Sequence, residues 1–415
     1  MNATAPASPA SPSSPASPAV SAHDHSPLVK AMLNIAHAVD HLFLLIFAAA
    51  VATIATDFGY AKWEDLMPFG AGAFLLFGLG SVPSGRLGDL WGRRSMMLIF
   101  FFGIGASAIL TAAAQNAWQL AACLTLLGAF ASIYHPVGIP MLLERSSNPG
   151  ATIGFNGLVG NLGVAAAALL TGFLIKWIGW RAAFIVPGLM CLACGVIFAA
   201  ACPREIESPA KRRGGARFKL TPAMMARAMV VMTAAAVTSS VLFNFTTNGN
   251  GQLLTERFRG VMEDPATLGI LLALVYAVAS LAQVVVGNLV NRFALKPFFV
   301  FMVLGQIPML WFASQAQGWA LFAALMGLMI FVFGAIPFTD VMIARYVDDR
   351  LRSRVSGMRL GVSFAVSSLS VWAIGPAVKA MGFGNSLLVL AGFSLTTVAI
   401  LTLLPGAKEE TAVAA

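Results

Sequence analysis

Twelve apolar runs, each long enough to cross a lipid bilayer, dominate the sequence. A membrane-spanning helix needs about 20 apolar residues, and backbone groups in hydrocarbon must bond within their own segment, so helices are predicted rather than open strands. Charged residues make up only 10% of the 415 residues, against about a quarter in soluble proteins, which excludes a water-soluble enzyme. The predicted spans are 30–54, 66–85, 96–114, 117–143, 151–174, 182–201, 223–247, 266–290, 297–314, 318–344, 357–378 and 385–404.

The lysines and arginines alternate between the loops as membrane topology requires. With the N-terminus inside, 20 of the 26 basic residues fall in inner segments. Because lysine and arginine concentrate in cytoplasmic loops, this bias predicts that both termini are cytoplasmic, in a multi-pass protein of the plasma membrane or the bacterial inner membrane. The net charge of +9 is then a consequence of topology and does not indicate nucleic-acid binding.

The longest inner loop divides the chain into two groups of six runs. Residues 1–28 form a Pro/Ala/Ser-rich tail, which is predicted to be disordered because it cannot bury enough apolar surface. A basic cytoplasmic linker is predicted over 202–222 and a cytoplasmic tail over 405–415. The two six-helix bundles are predicted over 29–201 and 223–404.

Motifs repeat between the two halves at a nearly constant offset. Gly85 begins a loop after the second run, and Gly287 begins a similar loop after the eighth run. Gly172 and Gly375, in the fifth and eleventh runs, are separated by nearly the same length of chain. Such repeats predict an all-α integral membrane fold of two pseudo-symmetric six-helix bundles, with a binding site between them near the middle of the membrane.

The loop after the second run reads GRLGDLWGRR over 85–94. It resembles the loop 2–3 signature of the major facilitator superfamily, with Leu90 in place of the family's usual basic residue. The resemblance implies the major facilitator fold and a secondary transporter that works by alternating access, with neither enzymatic activity nor a cofactor. It also implies a conformational gate, composed of Gly85, Gly88, Asp89, Gly92, Arg93 and Arg94. Further gate ion pairs are predicted at the inner ends of the fourth and tenth runs, from Glu144, Arg145, Asp340 and Arg345.

The N-terminal half also resembles the fosmidomycin-resistance branch of that superfamily. The similar stretches are HAVDH at 37–41, YHPVG at 134–138 and GNLG at 160–163. Because that branch contains drug and metabolite efflux proteins, the resemblance implies proton-coupled export of a small molecule. The chain departs from the antiporter signature because no proline follows Gly163. Uptake by proton symport or facilitated diffusion is the alternative, followed by transition-metal transport or a transporter-like receptor.

One acidic residue lies far inside a membrane run. Asp40 is about ten residues into the first run, which places it about 15 Å deep. His37 and His41 flank it, and His135 lies at a similar depth in the fourth run. An ionised carboxylate facing lipid is costly, so such residues face a cavity or a partner and are functional by default. We therefore predict a proton-coupling site; a buried hydrogen-bonded polar cluster and a metal site are the alternatives.

Amide side chains inside the membrane runs are candidates for the same cavity, or for hydrogen bonds between helices. They are Asn156, Asn161, Asn244 and Gln283. The predicted partners are a small-molecule substrate, protons and the lipid bilayer, with the chain acting as a monomer. No resident metal and no nucleic acid are expected.

Overall fold

The computed structural model describes residues 25–144, 146, 148–204, 222–290, 292–346 and 349–404. In this part of the chain, eleven helical segments are long and apolar enough to cross a membrane. The first six are α1 (Pro27–Asp57), α2 (Trp63–Trp91), α3 (Arg93–Ala112), α4 (Ala117–Leu143), α5 (Gly150–Trp177) and α6 (Trp180–Ala201). The next four are α7 (Met229–Arg257), α8 (Pro265–Leu289), α9 (Leu295–Gln315) and α10 (Gly318–Thr339), and the eleventh segment covers Gly361–Thr402.

The eleventh segment is two crossings. Its 42 residues would extend about 63 Å as one straight helix, about twice the thickness of the hydrocarbon core. The backbone leaves the helical region at Gly382, with φ 75° and ψ 167°. We therefore divide the segment into α11 (361–381) and α12 (383–402).

One contact at the end of α11 and one at the end of α12 establish the reversal. We call the end of the bundle where α1 begins the terminal face, and the end where α1 finishes the opposite face. Lys379 forms an ion pair with Asp65, near the start of α2 on the opposite face. The Lys296 ammonium, at the start of α9 on the terminal face, donates to the Thr402 carbonyl over 2.6 Å. The chain therefore returns across the membrane after residue 382, and the predicted fold of twelve membrane helices is confirmed.

The repeat seen in the sequence is also present in the backbone. Gly179, between α5 and α6, has φ 120° and ψ 167°. Gly382, at the equivalent place in the second half, has φ 75° and the same ψ. This conformation is essentially restricted to glycine. Two equivalent glycines therefore reverse the chain at equivalent places in the two bundles.

Equivalent basic residues bind the ends of equivalent helices. The Arg94 guanidinium donates to the carbonyls of Ala199 and Cys202 at the end of α6, at 2.7 Å each. Lys296, at the equivalent place in the second half, donates to the carbonyls of Thr402 and Leu404 at the end of α12. Both contacts satisfy carbonyls that a helix end leaves unpaired.

The two bundles meet through α5 against α8 and through α2 against α11. A Cβ added at Gly172 would collide with the carbonyl of Pro265, and one added at Gly375 would collide with the carbonyl of Glu64. These two glycines, which correspond in the repeat, let the helices of one bundle approach the other closely. The interface therefore follows the same internal symmetry as the sequence.

The predicted end of the seventh span at residue 247 is wrong, because α7 continues to Arg257. Polar side chains in its last turns bond to carbonyls of their own helix. Thr246 Oγ1 donates to the Leu242 carbonyl at 2.9 Å, and Asn248 Nδ2 donates to the Asn244 carbonyl at 2.9 Å. A polar stretch whose side chains bond in this way does not end a helix.

Candidate functional site

The Asp40 carboxylate is completely buried on α1, with an exposed fraction of 0%. Neither of its oxygens has a hydrogen-bond partner among the described residues. The Nε2 atom of His135, on α4, is 3.5 Å from Oδ2 and forms no hydrogen bond with it. Most buried polar side chains have a partner, so an unpartnered carboxylate in this position requires an explanation.

Three of the chain's five histidines lie together at this level, and one of them, His135, approaches the carboxylate. We call His37, His41 and His135 the histidine cluster; one ring nitrogen from each lies within 4.8 Å of the other two. His37 Nδ1 is 2.8 Å from the carbonyl oxygen of Asn156, which can only accept. In the neutral ring His37 Nε2 is therefore an acceptor, and it lies 3.1 Å from His41 Nε2, which donates.

A π-helical turn at Tyr134–Gly138 interrupts α4 and presents two rings to α1. Pro136 within this turn has no N–H to donate to the helix, and such turns are common at functional sites. The Tyr134 ring stacks on His37 with centroids 4.8 Å apart, and the His135 ring meets His37 edge-on at 5.0 Å. The irregular turn thus completes the histidine cluster.

Glycines on α5 make the space that the cluster occupies. A Cβ added at Gly160 would lie 2.5–2.6 Å from three atoms of the His37 ring, and one added at Gly163 would collide with the carbonyl of Ala38. The GNLG stretch therefore lets α5 lie directly against α1. This packing brings the Asn156 carbonyl to His37.

Several residues around the cluster escaped the sequence analysis. The Asn156 amide donates to Asn34 Oδ1 at 3.0 Å and to the Tyr134 hydroxyl at 2.7 Å. Phe364, on α11 of the other bundle, lies with its ring centroid 6.4 Å from that of His135. Arg359, two residues before the start of α11, interacts electrostatically with His135. The cluster therefore reaches the interface between the bundles. Of these additional residues, only Tyr134 could have been identified from the sequence, because it directly precedes His135.

Of the predicted amides, the structure brings Asn156 alone into contact with the cluster. Asn161 donates to Gln283 Oε1, which links α5 to α8 across the interface. Asn244 donates to Ser367 Oγ at 2.9 Å, inside the C-terminal bundle. These three side chains thus form hydrogen bonds between helices in this conformation, and their place in a shared cavity stays a prediction.

The two arginines of the predicted gate make different kinds of contact. Arg93 Nη1 lies 3.0 Å from Glu144 Oε2, so this ion pair joins α3 to the end of α4 within one bundle. The Arg94 guanidinium binds the carbonyls at the end of α6, and its role in the gate stays a prediction. Arg145 lies outside the described residues, as do the side chains of Asp340 and Arg345.

The loop glycines and Asp89 lie where α2 meets the π-helical turn. A Cβ at Gly88 would lie 2.8 Å from Val137, and one at Gly85 would lie 3.3 Å from Pro136. Gly92 reverses the chain between α2 and α3, with φ 91°. Asp89 is half-buried in the last turn of α2, and its proposed role in the gate stays a prediction.

Two equivalent ion pairs join the bundles at the opposite face. Lys176, at the end of α5, lies 2.8 Å from the Asp264 carboxylate before α8. Lys379, the equivalent residue at the end of α11, pairs with Asp65 in the first turn of α2. Hydrogen bonds from Lys176 and Thr267 hold the pKa of Asp264 below its usual value. We call these contacts the paired latches, and the sequence analysis did not identify them.

A small cavity lies between the bundles, on the side of the cluster toward the opposite face. Its volume is about 10 Å³, and its lining includes Ala48, Ala168, Thr247, Asn248 and Tyr276, from α1, α5, α7 and α8. That is room for about one water molecule.

Twelve membrane helices in two repeated bundles define a multi-pass integral membrane protein with the architecture of a secondary transporter. The sequence model of the Major Facilitator Superfamily matches residues 33–258, more than half of the chain, and the chain belongs to this superfamily. Membership agrees with the prediction of a non-enzyme.

Curated relatives match over part of the chain. A probable actinorhodin transporter of Streptomyces coelicolor is 26% identical over 36% of this chain and 27% of its own length. A tetracenomycin C resistance and export protein of Streptomyces glaucescens is 29% identical over 37% and 29%, respectively. The 4-hydroxybenzoate transporter PcaK of Pseudomonas aeruginosa is 27% identical over 46% and 45%. The chain thus spans less than half of the length of each of these relatives.

A solved structure has the same fold. It is a bacterial homolog of the human lysosomal transporter Spinster, in an inward-facing and occupied conformation, with a TM-score of 0.68 and 16% identity. The similarity covers 93% of this chain and 95% of that structure.

Proposed function

We propose that this protein is a proton-coupled secondary transporter that exports a small molecule by alternating access. The observation that carries the proposal is the Asp40 carboxylate, completely buried and without a hydrogen-bond partner among the described residues. Ionised, such a group is costly inside a membrane; protonated, it is tolerated. Binding and release of one proton therefore change the energy of the site in each conformation.

The histidine cluster supplies the route for that proton. His135 Nε2 is 3.5 Å from Asp40 Oδ2, so a small rotation brings the two within hydrogen-bond distance. A proton on Oδ2 can then pass to His135, which leaves a carboxylate beside an imidazolium. Neutral imidazole can accept a proton near physiological pH. Because the Phe364 ring of the other bundle lies near His135, this change of charge alters the electrostatic environment of the interface between the bundles.

Alternating access requires the interface to open on each side in turn. The paired latches hold the opposite face closed, and each joins one bundle to the other. Rocking the bundles to open this face must break both latches, and the transition in the other direction restores them. The Asn161–Gln283 hydrogen bond lies on the same interface and must change as well.

Orientation, location and direction are part of the proposal. Because 20 of 26 basic residues fall in the segments that the sequence predicts to be cytoplasmic, we place the terminal face and both termini in the cytoplasm, in the plasma membrane or the bacterial inner membrane, with the chain as a monomer. Export is supported by the resemblance to the fosmidomycin-resistance branch and by the relatives named for resistance and export. Uptake of a small metabolite is the second candidate, since another relative is named a 4-hydroxybenzoate transporter.

The test uses the full chain in liposomes with an imposed pH gradient. The probes are tetracenomycin C and 4-hydroxybenzoate, together with a panel of small metabolites, and the readouts are probe movement and the proton movement that accompanies it. Asp40→Asn keeps the shape of the side chain but cannot titrate, so we expect gradient-driven flux to fall at least tenfold. Glu256→Gln, a carboxyl substitution on the exposed end of α7, is the matched control and keeps wild-type flux.

The substitution is expected to leave the fold intact, because it removes an ionisable group without breaking a hydrogen bond. Equal unfolding midpoints for Asp40→Asn and wild type show this. Undiminished pH-driven flux in folded Asp40→Asn refutes proton coupling through this carboxylate. The sign of the probe gradient that drives proton movement separates export from uptake.

A further inference from the structure

The histidine cluster has more nitrogen ligands in one place than proton transfer requires. Asp40 and His135 alone would relay a proton, yet two further rings face the same point. His37 and His41 contribute nitrogens that are 3.1 Å apart, and the third ring places a nitrogen within 4.8 Å of both. Three imidazole rings therefore converge, from α1 and α4, at one level of the N-terminal bundle, and the Asp40 carboxylate lies 3.5 Å from the third ring.

The spacing is close to that of a transition-metal site. Zinc binds imidazole nitrogen at about 2.0–2.1 Å with tetrahedral geometry, which places two ligand nitrogens about 3.3 Å apart. The separation of 3.1 Å between the Nε2 atoms of His37 and His41 already fits this value. The third nitrogen, within 4.8 Å of the others, must move closer, and side-chain rotation on the irregular π-helical turn can supply that movement.

The surroundings of the cluster match those of a metal ligand set. A ligating histidine usually donates its other ring N–H to a carbonyl, which fixes the ring and its tautomer. His37 does so, because Nδ1 binds the Asn156 carbonyl at 2.8 Å while Nε2 points into the cluster. The absence of a Cβ at Gly160 gives this ring its place.

The group nearest to the three rings that could supply a fourth ligand is the Asp40 carboxylate, with Oδ2 3.5 Å from Nε2 of His135. Its oxygens, like Nε2 of His135, are buried and have no hydrogen-bond partner among the described residues. Oδ2 and Nε2 approach each other to 3.5 Å without forming a hydrogen bond, and buried polar groups left in this way are costly. A cation bound between them would satisfy the carboxylate and the third ring together.

We propose that the histidine cluster and the Asp40 carboxylate form a binding site for one divalent transition-metal ion. Three nitrogens and one oxygen suit the borderline cations Zn²⁺, Co²⁺ and Ni²⁺, whereas Mg²⁺ and Ca²⁺ take oxygen ligands. Binding of the metal does not depend on the proposed transport function. A bound ion occupies the carboxylate and ties α1 to α4, so it also blocks proton transfer at that group.

The test measures binding of Zn²⁺ or Co²⁺ alone to the full chain, purified in detergent without a histidine tag and freed of metal by a chelator. The measurements are calorimetry with Zn²⁺ and the visible absorption of Co²⁺, which strengthens in a four-coordinate site. We expect one ion per chain. His41→Gln and His135→Gln are each expected to weaken the affinity by more than about 10- to 100-fold, which is the loss that mutating even an outer partner of a metal ligand commonly causes.

The two remaining histidines provide the matched control. The chain has five histidines, so the double variant His23→Ala/His25→Ala keeps only the cluster, and its affinity and Co²⁺ spectrum are expected to equal those of wild type. Unfolding midpoints of the metal-free variants show that each is folded. No saturable binding to wild type, or binding that disappears in the double variant and survives in His41→Gln and His135→Gln, overturns the proposal.

The outcome is separable from that of the proposed function. Flux in chelator, compared between wild type and Asp40→Asn, tests proton coupling with no metal present. Metal binding with normal flux in Asp40→Asn leaves this inference standing and removes proton coupling. No metal binding, together with flux that falls in Asp40→Asn, overturns this inference and leaves proton coupling standing.

Discussion

Gly160 leaves the space that the His37 ring occupies beside α5. A Cβ at this position would lie 2.5–2.6 Å from three ring atoms, whereas ordinary contacts begin at about 3.4 Å. To regain an ordinary contact distance, the ring in Gly160→Ala must therefore move by about 0.9 Å. Moved directly away from Asn156, its Nδ1 atom, now 2.8 Å from that carbonyl, would reach about 3.7 Å and lose the hydrogen bond.

The expected cost follows from these two effects. Overpacking of a buried site costs about 1–3 kcal/mol, and the loss of one buried hydrogen bond adds about 1 kcal/mol. We expect Gly160→Ala to lower the free energy of unfolding by about 2–4 kcal/mol. The measurement is the unfolding midpoint of the purified protein in detergent, by heat and by denaturant.

Gly154 on the same helix is the matched control. A Cβ at Gly154 would meet no atom within 4 Å, and alanine favours a helix by about 0.5–1 kcal/mol over glycine. Gly154→Ala is therefore expected to unfold at or above the wild-type midpoint. Equal midpoints for the two variants would falsify the claim that Gly160 holds the His37 ring in place.

Two further predictions concern the interface and the chain reversal. Because its partners lower the pKa of Asp264, the ion pair with Lys176 stabilises the closed interface above the usual aspartate pKa of about 4, and this stabilisation is lost as the pH falls through the lowered pKa. Asp264→Asn removes the ion pair and is expected to raise the reactivity of a cysteine introduced by Ala48→Cys toward an impermeant thiol reagent at about pH 7. Unchanged reactivity contradicts a latch. Gly382→Ala forces a side chain into a backbone region that costs about 1–3 kcal/mol. Its unfolding midpoint is therefore expected to fall below that of the control Gly392→Ala, whose added Cβ meets no atom within 4 Å. Equal midpoints contradict the claim that the backbone at residue 382 is strained for alanine.

The sequence predicts the fold well because hydrocarbon leaves a chain few options. Apolar runs of sufficient length must be helices, and the constant offset between pairs such as Gly172 and Gly375 exposes the two bundles. The end of α7 is the clearest failure. Polarity after residue 247 is a sound signal for a loop in general, but here side chains such as Asn248 bond to their own helix, which no count of polar residues reveals.

The candidate site is predicted in part for a related reason. Asp40 and the three rings are visible because ionisable residues are rare in membrane runs. The paired latches were missed although Lys176 and Lys379 share the offset of the repeat, because their carboxylate partners come from the other bundle. Contacts between distant segments depend on how the bundles dock, and the sequence periodicity describes each helix alone.

The short reversals at Gly179 and Gly382 have a mechanical consequence. Two residues separate the end of α5 from the start of α6, and one separates α11 from α12. Connections of this length leave no slack, so neither helix of a pair can slide by a turn past the other without unwinding. Each helix pair therefore moves as one rigid unit, and a domain movement must be taken up at the longer connections. Lys176 and Lys379 lie at the ends of these rigid units, next to the reversals.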